Sequence, residues 1–215
     1  MKRRISLLCM LSIFTCLLMA QQPSSYISTM LSLIEELDTV GAKNDDFVSL
    51  GAKFERIGNV EKEEWLPYYY AAYCYAMKAL NTSKETEKYA DTADILLDLA
   101  LERGGDRSEI LCIKSYVATS RFILDPQQRW MTDGKASSDF INEAVKENSE
   151  NPRAYLLLGQ SVLYTPKAYG GGFEIAEKIL NNALEKFKVF KPESELSPNW
   201  GEDYTRHLLT KKGDI

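Results

Sequence analysis

Two series of residues recur through this sequence at nearly one spacing, and together they leave few folds open. Small side chains at Thr29, Ala72, Ser115 and Gly159 are separated by 43, 43 and 44 residues. A second series consists of stripes at i, i+4 and i+7, which share one face of a helix. It reads Leu50/Phe54/Ile57, Ala93/Leu97/Ala100, Ser137/Ile141/Ala144 and Ala176/Leu180/Ala183, with starting points 43, 44 and 39 residues apart. Two independent series at one period imply four copies of a helix-turn-helix unit. Small residues let the two helices of a pair approach closely, and the larger member of each stripe fills the space beside them. One such pair cannot bury its apolar face alone, so neighbouring pairs must supply the partner surface.

The rest of the chain agrees with an all-α reading. Apolar residues recur at three and four spacings, and no alternating strand pattern appears. Helices are expected at 24–40, 44–58, 62–81, 85–103, 107–124, 129–148, 151–165, 172–188 and 199–211. Gly41, Gly58-Asn59 and Gly104-Gly105 close three of them, Pro126 follows the fifth, and Pro152 sits in the first turn of the seventh. Connections this short favour antiparallel neighbours. Thr165-Pro166 ends the seventh helix, and Gly170-Gly171-Gly172 reads as a turn that re-aims the eighth. No Gly-Lys-Ser/Thr follows it, so it is not a phosphate loop.

The first 20 residues read as a secretory signal peptide: Lys2, Arg3 and Arg4, an apolar run from Ile5 to Met19, and Ala20 at the cut. The expected division is therefore a signal at 1–20 and one helical repeat domain at 21–215. The apolar run is short for a membrane span, and no membrane insertion is expected after cleavage. The whole chain carries −5; without the leader the balance is −8. An acidic chain with no basic cluster disfavours nucleic-acid backbones and anionic lipid. Cys74 and Cys112 remain in the mature part, each inside an apolar helical stretch, and read as core thiols rather than a disulfide framework.

The fourth unit, Pro152-Arg153-Ala154-Tyr155-Leu156-Leu157-Leu158-Gly159 followed by Ala176, Leu180 and Ala183, resembles the tetratricopeptide repeat. The resemblance implies a solenoid of about four antiparallel helical hairpins plus a C-terminal capping helix, with a period longer than the family's. Four further segments look like landmarks of exported tetratricopeptide-like proteins from Bacteroidetes-type bacteria, a family for which the resemblance supplies no activity. They are Glu64-Trp65-Leu66-Pro67-Tyr68-Tyr69-Tyr70-Ala71, Asn151-Pro152-Arg153-Ala154-Tyr155, Tyr164-Thr165-Pro166-Lys167 with the glycine run, and Leu196-Ser197-Pro198-Asn199-Trp200-Gly201. The last reads as a capping loop, with Trp200 and Tyr204 docked on the final hairpin.

The same resemblance places first helices along a concave groove, with residues three before and one after each small position pointing inward. Carried over, this marks Tyr69 and Tyr73, Cys112 and Tyr116, and Leu156 and Gln160, with Arg153 and Tyr164 further along. The candidate binding residues are Tyr69, Tyr73, Tyr116, Arg153, Gln160 and Tyr164. Tyrosine offers apolar area and a hydroxyl at low entropy cost. Catalysis has little to build on: His207 is the single histidine, no Cys/His cluster has metal spacing, and the carboxylates sit among exposed pairs such as Glu85/Lys88 and Glu174/Lys178. No enzyme, cofactor or metal site is expected. The leading expectation is an exported, periplasmic or extracellular scaffold holding a peptide or partner protein in the groove. The alternative is a small-ligand accessory protein of an envelope transport system. An open groove along Tyr69, Tyr73 and Tyr116 fits the first; a closed pocket fits the second.

Overall fold

A computed structural model describes residues 24–40 and 46–212. The expected leader at 1–20 and the helix end at Gly41 lie outside these residues. Among the described residues the chain is all-α, with no strand. α1 spans Ser24–Val40, α2 Asp46–Val60, α3 Leu66–Leu80, α4 Thr86–Glu102, α5 Arg107–Phe122, α6 Pro126–Arg129, α7 Lys135–Glu147, α8 Pro152–Tyr164, α9 Phe173–Val189 and α10 Glu202–Leu209. A π-helical turn, Trp130–Gly134, joins α6 to α7, and a 3-10 turn, Lys167–Tyr169, follows α8.

Local chemistry explains where these helices begin. Asp106 and Asn151 cap α5 and α8 by accepting from the backbone N–H groups of Glu109 and Arg153, each at 2.9 Å. Pro126 corrects the sequence expectation. It does not merely end one helix but opens the next, three residues earlier than expected, behind an Asp125 side chain that accepts from the Gln128 N–H. A proline is tolerated there because the first helical N–H has no partner to lose.

Packing follows chain order. α2 packs on α3, α3 on α4, α4 on α5, α5 on α7, and α8 on α9, while α3, α5 and α8 also touch one another in that sequence. The second-helix stripes are the interior of this arrangement: Leu50, Phe54, Ala93, Leu97, Ala100, Ala144, Ala176, Leu180 and Ala183 are fully buried. Of the small positions, Ala72, Ser115 and Gly159 are buried, whereas Thr29 faces solvent and its neighbour Met30 takes the core place.

Gly159 shows what the small residue does. A Cβ there would lie 2.6 Å from Leu180 Cδ2 and 2.7 Å from its Cγ, so α8 and α9 touch at the distance only glycine allows. Replacing Gly159 by Val should lower stability by about 1–3 kcal/mol, the usual cost of overpacking; a lowered urea midpoint in the mature protein checks it. Cys74 and Cys112 are free and fully buried. Burial pushes both thiols well above their ordinary range, so they serve as neutral core residues. The glycine run is a turn, with Gly170 and Gly172 at φ 84° and 103°. Glu174, expected beside Lys178, pairs with Lys167 at 3.1 Å.

Candidate ligand-binding site

The groove implied along Tyr69 and Tyr73 is filled by the chain itself. Between α9 and α10 the segment 190–201 folds back over α3. The Tyr70 hydroxyl donates to the Leu196 carbonyl at 2.9 Å, and Leu196 is buried. Trp200 follows, its indole N–H donating to the Tyr69 hydroxyl at 2.9 Å. Its ring lies 5.3 Å from that of Tyr73 and 5.9 Å from that of Tyr116. Trp200 was expected on the last hairpin. It packs against the apolar cluster of that hairpin and also reaches the middle of the molecule, because its N–H needs a partner and its ring finds an aromatic bed there.

Under Trp200 lies a buried polar chain. Tyr69 donates to Glu109 Oε2 at 3.1 Å, and Arg153 Nε donates to both Glu109 oxygens at 2.8 and 2.9 Å. The Arg153 guanidinium stacks on Phe190, 4.5 Å from the ring centre. Arg153 is 1 % exposed and Tyr69 0 %. Burial raises the Glu109 carboxyl pKa, and the Arg153 charge pulls it back down. One residue from each of α3, α5 and α8, plus the returning segment, are thereby tied together.

Beyond Trp200 the row of helices stays open. A cavity of about 870 Å³ lies between α5, the π-helical turn, α7 and α8. Tyr116, Phe122, Ile141 and Leu157 line it, with Ile123, Trp130, Met131 and Tyr164 at its rim. Those four rim residues are exposed, Trp130 by 60 % and Met131 by 57 %. Five of the hydroxyls in the wall are engaged by the protein. Thr119 donates to the Ser115 carbonyl and contacts Ser137 at 2.8 Å, Ser115 donates to the Cys112 carbonyl, Ser138 to that of Gly134, and Thr165 to that of Ser161. What remains facing inward is mostly carbon. Lys135 is the single charged residue in the lining, and the lining holds neither histidine nor cysteine. The Gln160 side-chain carbonyl oxygen is buried against the cavity with no donor among the described residues.

Of the six candidate residues, the structure brings Tyr116, Gln160 and Tyr164 to this cavity. Tyr73 lies beneath Trp200, and Tyr69 and Arg153 belong to the buried chain. The sequence reading missed Trp130, Met131 and Ile123. A signal was present: Trp130 sits seven residues before Ser137, so it extends the buried stripe of α7 by two turns. That stripe outruns α5, which ends at Phe122, and an apolar face longer than its partner leaves a pocket. The π-helical turn widens the opening; such turns are frequent at functional sites. Tyr116 is held neutral, because burial first and Tyr73 next push its hydroxyl far above the usual range. The Tyr164 oxygen accepts from Lys211 Nζ at 3.0 Å. Among the described residues no cluster suits a metal ion, and no helix is long and apolar enough to cross a membrane. His207 is exposed on α10 and stacks beside Tyr204.

No family model matches the chain, and no curated protein does. Among solved structures it is similar to the HusA haemophore from Porphyromonas gingivalis. The two are 34% identical over 90% of this chain and 96% of that one, with a TM-score of 0.82. The likeness thus spans nearly all of both molecules. The chain belongs to the family of the HusA haemophore.

Proposed function

We propose that this protein is exported and captures haem, or a closely related porphyrin, in the cavity between α5, the π-helical turn, α7 and α8. The observation that carries the reading is the cavity itself: about 870 Å³, carbon-walled and rimmed by exposed Trp130, Met131, Ile123 and Tyr164, in a relative of a haemophore. Small-molecule pockets usually fall between about 300 and 1,000 Å³ and bury most of the ligand. A porphyrin is a flat, mostly apolar disc with two carboxylates on one edge. Its face suits the aromatic rim. Its carboxylates would emerge toward Lys135 and Lys211, the latter already held on Tyr164.

The small-ligand alternative is thus the better supported of the two functions raised by the sequence. A peptide or protein scaffold loses its surface, since the groove along Tyr69 and Tyr73 is covered by Trp200. The protein's work is capture without turnover, by a mature domain at 21–215 released from a leader at 1–20.

Titration of the mature protein with haem, followed by the Soret band, tests the proposal. Saturable one-to-one binding is expected. In Ser138→Trp, which fills the rim from an exposed position, binding should be lost with the melting temperature unchanged. Binding equal in both proteins sinks the assignment of the cavity. The lining also makes the iron secondary. Tyr116 keeps its proton, the Tyr164 oxygen is engaged by Lys211, and only the Met131 thioether is left. Metal-free protoporphyrin should therefore bind within about threefold of haem, less than 1 kcal/mol apart. A thirtyfold or larger preference for haem, about 2 kcal/mol, would show that an iron ligand had been overlooked.

A further inference from the structure

A second, smaller cavity of about 340 Å³ opens on the other side of Trp200, and Arg153 lines it. The Arg153 side chain is 1 % exposed, yet only its Nε is used, in the bond to Glu109; Nη1 and Nη2 are buried and find no acceptor among the described residues. Buried guanidinium donors left unpaired are costly, and the face of this group is already covered by Phe190. Arg153 is one of the residues that line the cavity. We propose that this cavity is a binding site for a small organic monocarboxylate, held by the two Nη groups of Arg153.

The chemistry selects that class. Arginine presents parallel N–H donors that match the two oxygens of a carboxylate. The wall sets Asp106, Glu109, Glu150 and Glu193 against Arg153, Lys186 and Lys191; this acidic excess opposes a doubly charged anion more than a singly charged one, so a phosphate dianion is disfavoured. Trp65, Phe190 and Pro198 add apolar wall for a short carbon tail. The size sits at the lower end of ligand pockets, about 300 Å³. This inference does not depend on porphyrin binding, which uses other residues.

The test uses the mature protein, its tryptophan indoles labelled with nitrogen-15, titrated with sodium acetate, inorganic phosphate and sodium chloride at matched ionic strength. Trp65 lines the small cavity and Trp130 the large one, so the two indole signals report separately. Acetate should shift the Trp65 signal saturably in the millimolar range, leave Trp130 in place, and exceed both phosphate and chloride. Val189 lines the cavity and is 68 % exposed, so Val189→Phe fills it without disturbing the core. That variant should bind acetate at least about tenfold more weakly, because the added ring takes the space of the ligand. A response that is absent, fails to saturate, is matched by chloride or survives in V189F would overturn the site and leave Arg153 simply hydrated. A stronger saturable response to phosphate would overturn the carboxylate.

Discussion

Truncating the rim with Trp130→Ala and Met131→Ala together is expected to weaken haem binding at least thirtyfold while leaving the fold intact. The two effects separate because of where the side chains sit. Both are more than half exposed in the free protein, and exposed side chains away from caps and ion pairs change stability by about 0.5 kcal/mol or less. In the proposed complex the same surfaces would be buried against the porphyrin. Truncating an aromatic anchor in a desolvated contact costs about 2 kcal/mol or more, a factor of about thirty. Soret titration and thermal melts of the same preparation check both halves. Equal losses of binding and stability would mean that the rim is structural.

The largest stability effect is expected at Arg153. Replacing it by Met removes the counter-charge of Glu109, which is 5 % exposed and would retain the Tyr69 hydroxyl. Breaking a buried ion pair from one side costs about 3–5 kcal/mol, while removing both charges together is often close to neutral. Arg153→Met should therefore lower the urea midpoint sharply, and Arg153→Met with Glu109→Leu should recover most of it. The pH dependence has a definite sign. Burial raises the Glu109 carboxyl above its ordinary 4.5, and Arg153 is the main force lowering it, so losing Arg153 raises it further. A carboxyl raised by folding favours the folded state when protonated and costs stability as pH rises through its folded value. The deficit of the single variant should shrink as the pH is lowered toward 4.5. A deficit independent of pH would place the damage in lost packing instead.

Helices and core were legible in the sequence because both follow from periodicity. The stripes at Ala93/Leu97/Ala100 and Ala176/Leu180/Ala183 become fully buried interior, and Gly159 marks a close helix contact. The site was only partly legible. Tyr116, Gln160 and Tyr164 were reached through their register on α5 and α8, but register does not say which part of a helix row stays uncovered. That depends on residues far apart in the chain. Trp200 covers Tyr69 and Tyr73, 131 residues away from Tyr69, whereas among the described residues nothing comparable covers the end of α5. The π-helical turn was invisible for a different reason: Trp130-Met131 reads as ordinary helix, and the extra residue per turn leaves no mark in composition. Arg153 looked like a groove residue, since its partner Glu109 lies 44 positions earlier and no spacing rule connects them.

The three tryptophans, Trp65, Trp130 and Trp200, stand in three environments, so one spectrum can locate the bound porphyrin. Ferric haem added to the mature protein should broaden the indole N–H signal of Trp130 beyond detection at one equivalent and leave Trp65 sharp. A Trp130 signal that stays sharp at saturating haem would contradict capture between α5 and α8.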